Sequence, residues 1–315
     1  MEETRIDRER LRIGICSFTE PGMVKSFYPQ GLPPAERLSY YAARFDTLEI
    51  DSSFYALPSE RNSHLFASRT PDGFVFHFKA FGLLTRHPVD VSRLGRTLRG
   101  LLPADFDEPV VRHPPAELLE AAFAMFASAL EPLARAGKLG VVLFQFPPWY
   151  RKSRDALAYI DYCRERLPDF TLAIEFRHGS WFVDRERDDT LAFLRSRALV
   201  HTVVDEPQVG MYGSVPAVVE VTAPISYVRF HGRNRDTWTK KGATVAERYA
   251  YLYTESELEE WVPHIRTLGE NADRTYLMFN NCFAYYAVKN AKMLGELLGI
   301  FPVPGRPPIE FVETV

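Results

Sequence analysis

Charged and amide side chains stand at the ends of short apolar runs along this 315-residue chain, and their types suit acid–base chemistry and anion binding. In the segment LAIEFRH, Ala173, Glu175 and Arg177 alternate with larger apolar residues, so the three share one face of a β-strand. The same alternation in other runs predicts a common polar interior. Its further members are Glu49, Asp51, Ser53, His77, Lys79, Gln145, Asp205, Arg229, His231, Arg233 and Asn280.

The cations and carboxylates of this set have complementary chemistry. Arginine forks bind carboxylate or phosphate through paired hydrogen bonds, so the basic residues predict a small anionic ligand. The candidate catalytic acids or bases are Glu175, Glu49, Asp205 and His231. A carboxylate beside arginines has a lowered pKa, which favours a base or an orienting group over a general acid. For any single residue, a buried structural ion pair is the alternative interpretation.

A metal site is a weaker alternative for the same residues. Glu49, Glu175, His178, Asp205 and His231 could supply ligands, but the sequence contains no HxH or HExxH spacing. A metal would also compete with arginines for the carboxylates. We predict no bound metal and no cofactor. No glycine-rich phosphate loop follows any strand candidate, which argues against the open α/β sheets that bind phosphate through such loops.

Alternating apolar runs and amphipathic segments would position these side chains. The strand candidates, rich in Ile, Val, Phe and Leu, are 12–18, 47–54, 74–80, 141–147, 171–178, 199–205, 226–232 and 275–281. The helix candidates are 34–45, 59–69, 116–136, 153–167, 188–197, 256–268 and 284–298. Runs such as VVLFQF are almost wholly apolar, which indicates a parallel sheet covered by helices. The order predicts a TIM-like (β/α)8 barrel, with a doubly wound open sheet as the alternative.

One domain accounts for the whole sequence. It consists of an N-terminal extension (1–11), the barrel (12–300) and a C-terminal tail (301–315). The connections 81–115 and 233–255 both follow strands and are longer than a barrel requires, so we expect them over the face where barrel active sites lie. Aromatic residues near that face could stack on a ligand ring or only cap the barrel; they are Phe18, Tyr28, Tyr55, Trp149, Trp181, Trp238 and Tyr249.

Composition narrows the class of partner. A formal net charge of −3 makes nucleic acid an unlikely ligand, because nucleic-acid binding normally needs a strongly basic surface. The charged start MEETRIDRER has no apolar signal segment, and no apolar run is long enough to span a bilayer. Three widely spaced cysteines without a CxxC pair suit a reducing compartment, so we expect a cytoplasmic protein. The oligomeric state stays open.

Ordered motifs cover nearly the whole chain. They include IGICSF, FDTLEIDSSFYALPS, KLGVVLFQFPP, AIEFRHGSWF, YVRFHGR and FNNCFAYYAVKNA. Together they resemble the YecE-like family, domain of unknown function family 72. The resemblance implies a TIM-like barrel without an assigned reaction. The family's recurrent positions give the candidate substrate-binding residues Lys79, Gln145, Arg177, His178, Trp181, Arg229, Arg233, Tyr249, Asn280 and Asn281.

This chain departs from the family pattern at the first and eighth strand ends and at Asp51. Relatives commonly have Ser-Gly-Trp where this chain has residues 16–18, Asn at the position of Asp51, and Gly where Tyr285 and Tyr286 follow the Asn pair. These changes predict an altered ligand preference or a partial loss of activity.

Three functions therefore stay open. The first is a hydrolase, lyase or isomerase of undefined reaction, acting on a small phosphorylated or carboxylated molecule, with Glu175 as base or orienting group. The second is a metal-dependent phosphoesterase, isomerase or nuclease. The third is a non-catalytic module that binds an anion.

Overall fold

The computed structural model describes residues 10–311 and shows a closed barrel of parallel strands. The barrel strands are β1 (Leu11–Ile15), β2 (Thr47–Ile50), β3 (Val75–Lys79), β4 (Leu139–Gln145), β5 (Thr171–Glu175), β6 (Val200–Asp205), β7 (Ile225–Phe230) and β8 (Arg274–Phe279). Neighbours in the chain pair in parallel, and β8 pairs with β1 to close the barrel. The predicted single-domain TIM-like barrel is confirmed. The predicted extension 1–11 lies almost entirely outside the described residues.

The main helices lie close to the predicted segments. They are α1 (Arg37–Ala42), α2 (Glu60–Ser68), α3 (Ala116–Arg135), α4 (Arg154–Arg166), α5 (Glu186–Arg195), α6 (Trp261–Asn271) and α7 (Tyr286–Leu297). Ser59 and Ser153 cap α2 and α4, because their hydroxyls accept hydrogen bonds from backbone N–H groups of the first turn. None of the described helices is long and apolar enough to cross a membrane.

Short helices and 3-10 turns lie in the connections between the barrel strands and the main helices. The short α-helices are Pro21–Ser26, Arg96–Arg99, Arg235–Trp238, Val245–Arg248 and Glu255–Glu259, and the 3-10 turns are Pro34–Glu36, Asp51–Phe54, Gly82–Thr85, Val91–Arg93 and Gly179–Trp181. Strands Val89–Asp90 and Val110–Val111 pair as an antiparallel ribbon in the long connection after β3. Residues 206–224, between β6 and β7, are fully described and contain no helix.

Apolar side chains and one histidine fill the lower interior of the barrel. His77 lies between the rings of Tyr227 and Tyr276, with centroid separations of 4.9 and 4.3 Å. Its Nδ1 accepts a hydrogen bond from Val141 N (2.9 Å), and burial lowers its pKa to about 3. Gly140 leaves room for this imidazole, since a Cβ there would lie 2.4 Å from Cε1 of His77. His77 is therefore a neutral packing residue, and the available polar groups lie above it.

The seam between β1 and β2 has only two residue pairs, with Gly14 opposite Thr47 and Ile15 opposite Leu48. Tyr41 of α1 reinforces this seam from outside. Its buried hydroxyl accepts a hydrogen bond from Ile15 N (3.2 Å) and donates one to Thr47 O (2.9 Å). One side chain thus joins the backbones of both strands.

Replacing Tyr41 with Phe should lower the free energy of unfolding by about 1–3 kcal/mol, because buried backbone groups at the seam lose a partner. Urea denaturation measures the change. Tyr40→Phe is the control, since the Tyr40 ring packs on Phe27 and Tyr28. We expect the control to stay within about 0.5 kcal/mol of wild type. Equal stability of the two variants would show that the Tyr41 hydroxyl does not hold the seam.

Candidate active site

A pocket of about 570 Å³ opens at the carboxyl ends of the strands. Its charged lining residues are Asp51, Lys79, Arg177 and Arg248. Its amide lining residues are Gln145 and Asn280, and its aromatic lining residues are Phe54, Tyr55, His87, Phe146, Trp149, Tyr212, Trp238 and Tyr249. Thus Lys79, Gln145, Arg177, Tyr249 and Asn280 of the predicted binding set face one pocket. His87 comes from the connection 81–115, and Trp238 and Tyr249 come from the connection 233–255.

A buried ion network lies directly beneath this pocket. Arg229 of β7 donates through Nη2 and Nε to the two carboxylate oxygens of Glu49 on β2, at 2.5 and 3.0 Å. Its Nη1 donates to Glu175 Oε2 of β5 at 2.7 Å. All three side chains are fully buried. Arg229 is therefore already neutralised by protein carboxylates, and its charge is directed away from a ligand.

Glu175 accepts hydrogen bonds from four different side chains. Its Oε1 accepts from Gln145 Nε2 at 2.5 Å, from Arg177 Nη1 at 3.1 Å and from His231 Nε2 at 3.1 Å. Burial opposes ionisation, but the charge of Arg229, the hydrogen bond from His231 and the charge of Arg177 hold the pKa of Glu175 well below its usual range. A carboxylate bound in this way is a poor base. It orients the groups around it.

His231 has a fixed tautomer and carries no charge at neutral pH. Burial lowers its pKa to about 4, although Glu175 opposes that shift. Because Nε2 faces the Glu175 carboxylate, the ring proton belongs on Nε2, and Nδ1 accepts from the amide of Asn280 at 2.9 Å. His231 therefore links Asn280 to Glu175.

Glu49 and Asp51 form a carboxyl pair with opposite proton affinities. Burial would raise the pKa of Glu49, but Arg229 and the hydrogen bonds from Asp51 and Tyr227 lower it to about 2. Burial and then the Glu49 charge raise the pKa of Asp51 well above its usual range, against Lys79 and Arg229. The Asp51 side chain remains 26% exposed and lines the pocket. Asp51 is therefore the member of the pair that holds a proton more tightly than an ordinary aspartate, and it faces the pocket.

The predicted interior position of Asp205 is wrong. In the pairing of β6 with β7, Val204 lies opposite Arg229, whereas Asp205 lies opposite Phe230, which packs on Trp261 of α6. Asp205 consequently points towards the helices and accepts from Trp261 Nε1 at 2.5 Å and from Arg233 Nη2 at 2.7 Å. Both Asp205 and Arg233 belong to this outer cluster, away from the main pocket.

Three further candidates support the pocket wall from behind. Trp181 is fully buried, stacks on Phe176 at 3.9 Å and donates from Nε1 to Tyr150 O. The Nδ1 of His178 accepts from Ser180 N and caps a 3-10 turn. The amide nitrogen of Asn281 donates to Tyr251 O and to Asn290 Oδ1, which ties the connection after β7 to α7.

Sequence reasoning missed Glu206, which follows β6. Glu206 is buried, with Oε1 accepting from Val215 N at 2.8 Å and Oε2 lying 3.4 Å from Arg177 Nε. Burial raises its pKa to about 7, even though Arg177 favours the charged form. Glu206 shares its face with the even-numbered positions Val200, Thr202 and Val204, but the sequence pattern does not show whether the even or the odd face of this strand points inward.

The acidic cluster beside Arg229 was also assessed as a metal site. Among residues 10–311, Cys16, Glu49 and Asp51 place potential ligand atoms within 4.8 Å of one another. However, Arg229 Nη2 lies 2.5 Å from Glu49 Oε1, 3.5 Å from Asp51 Oδ1 and 3.8 Å from Cys16 Sγ. The guanidinium therefore takes the position of a cation in this cluster, and these residues do not fit a metal in this arrangement.

The closed parallel barrel and the polar site at its carboxyl end define a TIM-like barrel protein. The family model described as "Protein of unknown function DUF72" matches residues 12–308. The chain belongs to the DUF72 family, which confirms the resemblance seen in its motifs.

Relatives of known sequence or structure agree with this assignment. The chain is 36% identical over 279 residues to the UPF0759 protein YunF of Bacillus subtilis strain 168, covering 87% of this chain and 91% of YunF. A DUF72 family protein of Thermotoga maritima MSB8 has 31% identity and a TM-score of 0.72, over 92% of this chain and 99% of that chain. A DUF72 family protein of Enterococcus faecalis V583, at 23% identity and TM-score 0.72, covers 92% of this chain and 98% of its own, and shows the fold alone.

Glu206→Gln should change how stability depends on pH. In wild type, the raised pKa of Glu206 contributes stability that is fully present below about pH 4.5 and is lost as pH rises through about 7. The neutral variant lacks this loss. The difference in free energy of unfolding, variant minus wild type, should therefore be about 2–3 kcal/mol larger at pH 8 than at pH 5. Urea denaturation at both pH values measures it, and a constant difference would contradict the raised pKa.

Proposed function

We propose that this protein is an enzyme acting on a small substrate that carries a phosphate or carboxylate group. The observation that carries the proposal is that two kinds of functional group, cations and a carboxyl group, line one pocket. Lys79 and Arg177 supply positive charge, and Asp51 supplies a carboxyl group whose pKa is raised beside Glu49, whose pKa is lowered. Acid–base residues with separated pKa values are typical of active sites.

Anion binding rests on Lys79 and Arg177. Lys79 Nζ lies 4.4 Å from the ring centroid of Phe54, and the Arg177 guanidinium lies 4.7 Å from the ring of Trp238. Arg177 is held by Glu175 and Glu206, so its orientation is set before a ligand arrives. Preorganised cations of this kind stabilise charge that develops on substrate oxygens.

Proton transfer rests on Asp51. Its carboxyl proton can pass to a substrate oxygen as a bond to that oxygen breaks, which leaves Asp51 ionised. Arg229 Nη2, 3.5 Å from Asp51 Oδ1, then stabilises the new carboxylate. The carboxylate can recover a proton from water or from the next intermediate. This role is compatible with a hydrolase, a lyase or an isomerase.

Glu175 acts in this scheme as a positioning residue. It contacts Gln145 and Arg177 at the pocket floor, and His231 and Arg229 beneath it. The role proposed for it is to fix those groups, while the proton comes from Asp51. The family resemblance implies asparagine at position 51 in relatives, so this acid would be a property of the present protein.

Asp51→Asn should keep the shape of the pocket but remove the transferable proton. A screen of phosphorylated and carboxylated metabolites first identifies a substrate that wild type converts. Turnover of that substrate should then fall by about 100-fold or more in Asp51→Asn, with binding retained. Asp72→Asn, on an exposed loop, is the control and should match wild type. Undiminished turnover in Asp51→Asn would remove Asp51 from the chemistry, and binding without turnover by wild type would favour a non-catalytic module.

Lys79→Met should weaken anion binding while keeping most of the side-chain volume. Inorganic phosphate is the probe, and its effect on the melting temperature of the protein is the measurement. Phosphate should stabilise wild type and the control Lys25→Met, and should stabilise Lys79→Met much less. Identical phosphate responses in all three proteins would place anion binding elsewhere.

A further inference from the structure

We infer that the substrate is a monosaccharide bearing one anionic group, with its sugar ring held between two aromatic walls of the pocket. The inference rests on the proposed function, because it assigns the body of the ligand whose anionic group meets Lys79 and Arg177. It rests on three parts of the pocket. The walls are two rows of aromatic rings, the rim is the set of exposed aromatic residues at the mouth, and the floor is the set of polar groups at the base.

The first wall is a continuous row of rings. Phe54 contacts Tyr55 and His87 with centroid separations of 5.2 and 4.9 Å, and His87 contacts Trp149 at 5.9 Å. Burial, followed by the charges of Lys79 and Arg177, lowers the pKa of His87 to about 3. His87 is therefore neutral and acts as one more ring in the wall.

The second wall carries Trp238 and Tyr249, whose rings meet at 5.5 Å. Trp238 is held by a hydrogen bond from Nε1 to Gly213 O and by the guanidinium of Arg177 against its ring. Both walls are thus fixed by contacts of their own. Because both rows line one pocket, a sugar ring bound there can contact aromatic side chains of either row.

The rim of the pocket exposes large side chains to water. Trp149 is 56% exposed and Tyr212 is 62% exposed, and both line the pocket. Exposed aromatic residues gathered at one mouth point to a binding surface, since soluble proteins seldom expose such patches. The C–H faces of a sugar ring are a suitable partner for these rings.

The floor provides partners for hydroxyl groups. The amide nitrogens of Gln145 and Asn280 are turned to Glu175 and His231, which leaves both amide oxygens as acceptors. Ser17 and Thr239 add hydroxyl groups to the lining. A ligand with an anionic group and an otherwise apolar body would leave these polar groups without hydrogen-bond partners, at a cost in binding free energy. A hydroxylated ring satisfies the floor and the walls together.

The volume also fits. About 570 Å³ lies within the range of about 300–1,000 Å³ that encloses small-molecule ligands. Lys79 and Arg177 could bind either a phosphate group or a carboxylate group, because both are anionic. Sugar phosphates and uronic acids are therefore the two sources to be distinguished.

Isothermal titration calorimetry on the full chain provides the test. The ligands are a panel of pentose and hexose phosphates, glucuronate and galacturonate, compared with glycerol 3-phosphate, inorganic phosphate and the uncharged methyl glucoside. At least one anionic sugar should bind wild type about tenfold more tightly than glycerol 3-phosphate and than methyl glucoside. If that ligand is a sugar phosphate, the anionic group is phosphate; if it is glucuronate or galacturonate, the anionic group is carboxylate.

Trp149→Ala isolates the contribution of the walls, and Met125→Ala, an exposed apolar side chain of α3, is its control. Trp149→Ala should lose the advantage of the sugar ring while inorganic phosphate binds as in wild type. Met125→Ala should keep both. If phosphate binds but no anionic sugar exceeds glycerol 3-phosphate, the sugar inference is overturned while the anion site stands. If no anion binds at all, the proposed function itself fails.

Discussion

The guanidinium of Arg229 holds the top of the barrel together by bonding to two buried carboxylates from different strands. Glu49 on β2 and Glu175 on β5 meet Arg229 of β7 with all three side chains inaccessible to solvent. Removing such charges from water costs several kcal/mol each, so every one depends on the others being in place. This mutual dependence fixes the lateral positions of three strands. It also affects the proton affinity of the groups above, because Arg229 favours ionised Glu49, and burial together with the Glu49 charge raises the pKa of Asp51.

Two layers of charge therefore have separate tasks. The lower layer is self-compensated: Arg229 is paired twice, and Glu175 is saturated by donors from Gln145, Arg177 and His231. The upper layer is open, with Lys79, Arg177 and Asp51 lining the pocket. An interior rich in arginine is thus not the same as a pocket rich in free positive charge. The rigid lower layer lets a few exposed groups keep fixed positions and unusual proton affinities.

The barrel and the centre of the site could be predicted from the sequence, whereas the partners of each charge could not. LAIEFRH alternates clearly, so Glu175 and Arg177 were placed together with the interior groups that bond Glu175. The run VVDE is apolar on both faces and ends in two acids, so alternation gives no unique phase. Only the pairing of Asp205 with Phe230 shows that Asp205 points outward and Glu206 inward. Likewise, Arg229 meets Glu49 from 180 residues away, a contact that follows from barrel closure rather than from local pattern.

The proton on Asp51 is the central claim, and a carbon-13 NMR titration of aspartate-labelled protein measures it directly, with Asp51→Asn used to assign the resonance. The account predicts that the Asp51 carboxyl carbon keeps the chemical shift of the protonated form at pH 7, far above the pH of about 4 at which a free aspartic acid side chain in a model peptide loses its proton. An Asp51 resonance that already shows the shift of the ionised form at pH 7 would contradict the account, because the pocket would then hold a carboxylate in place of an acid.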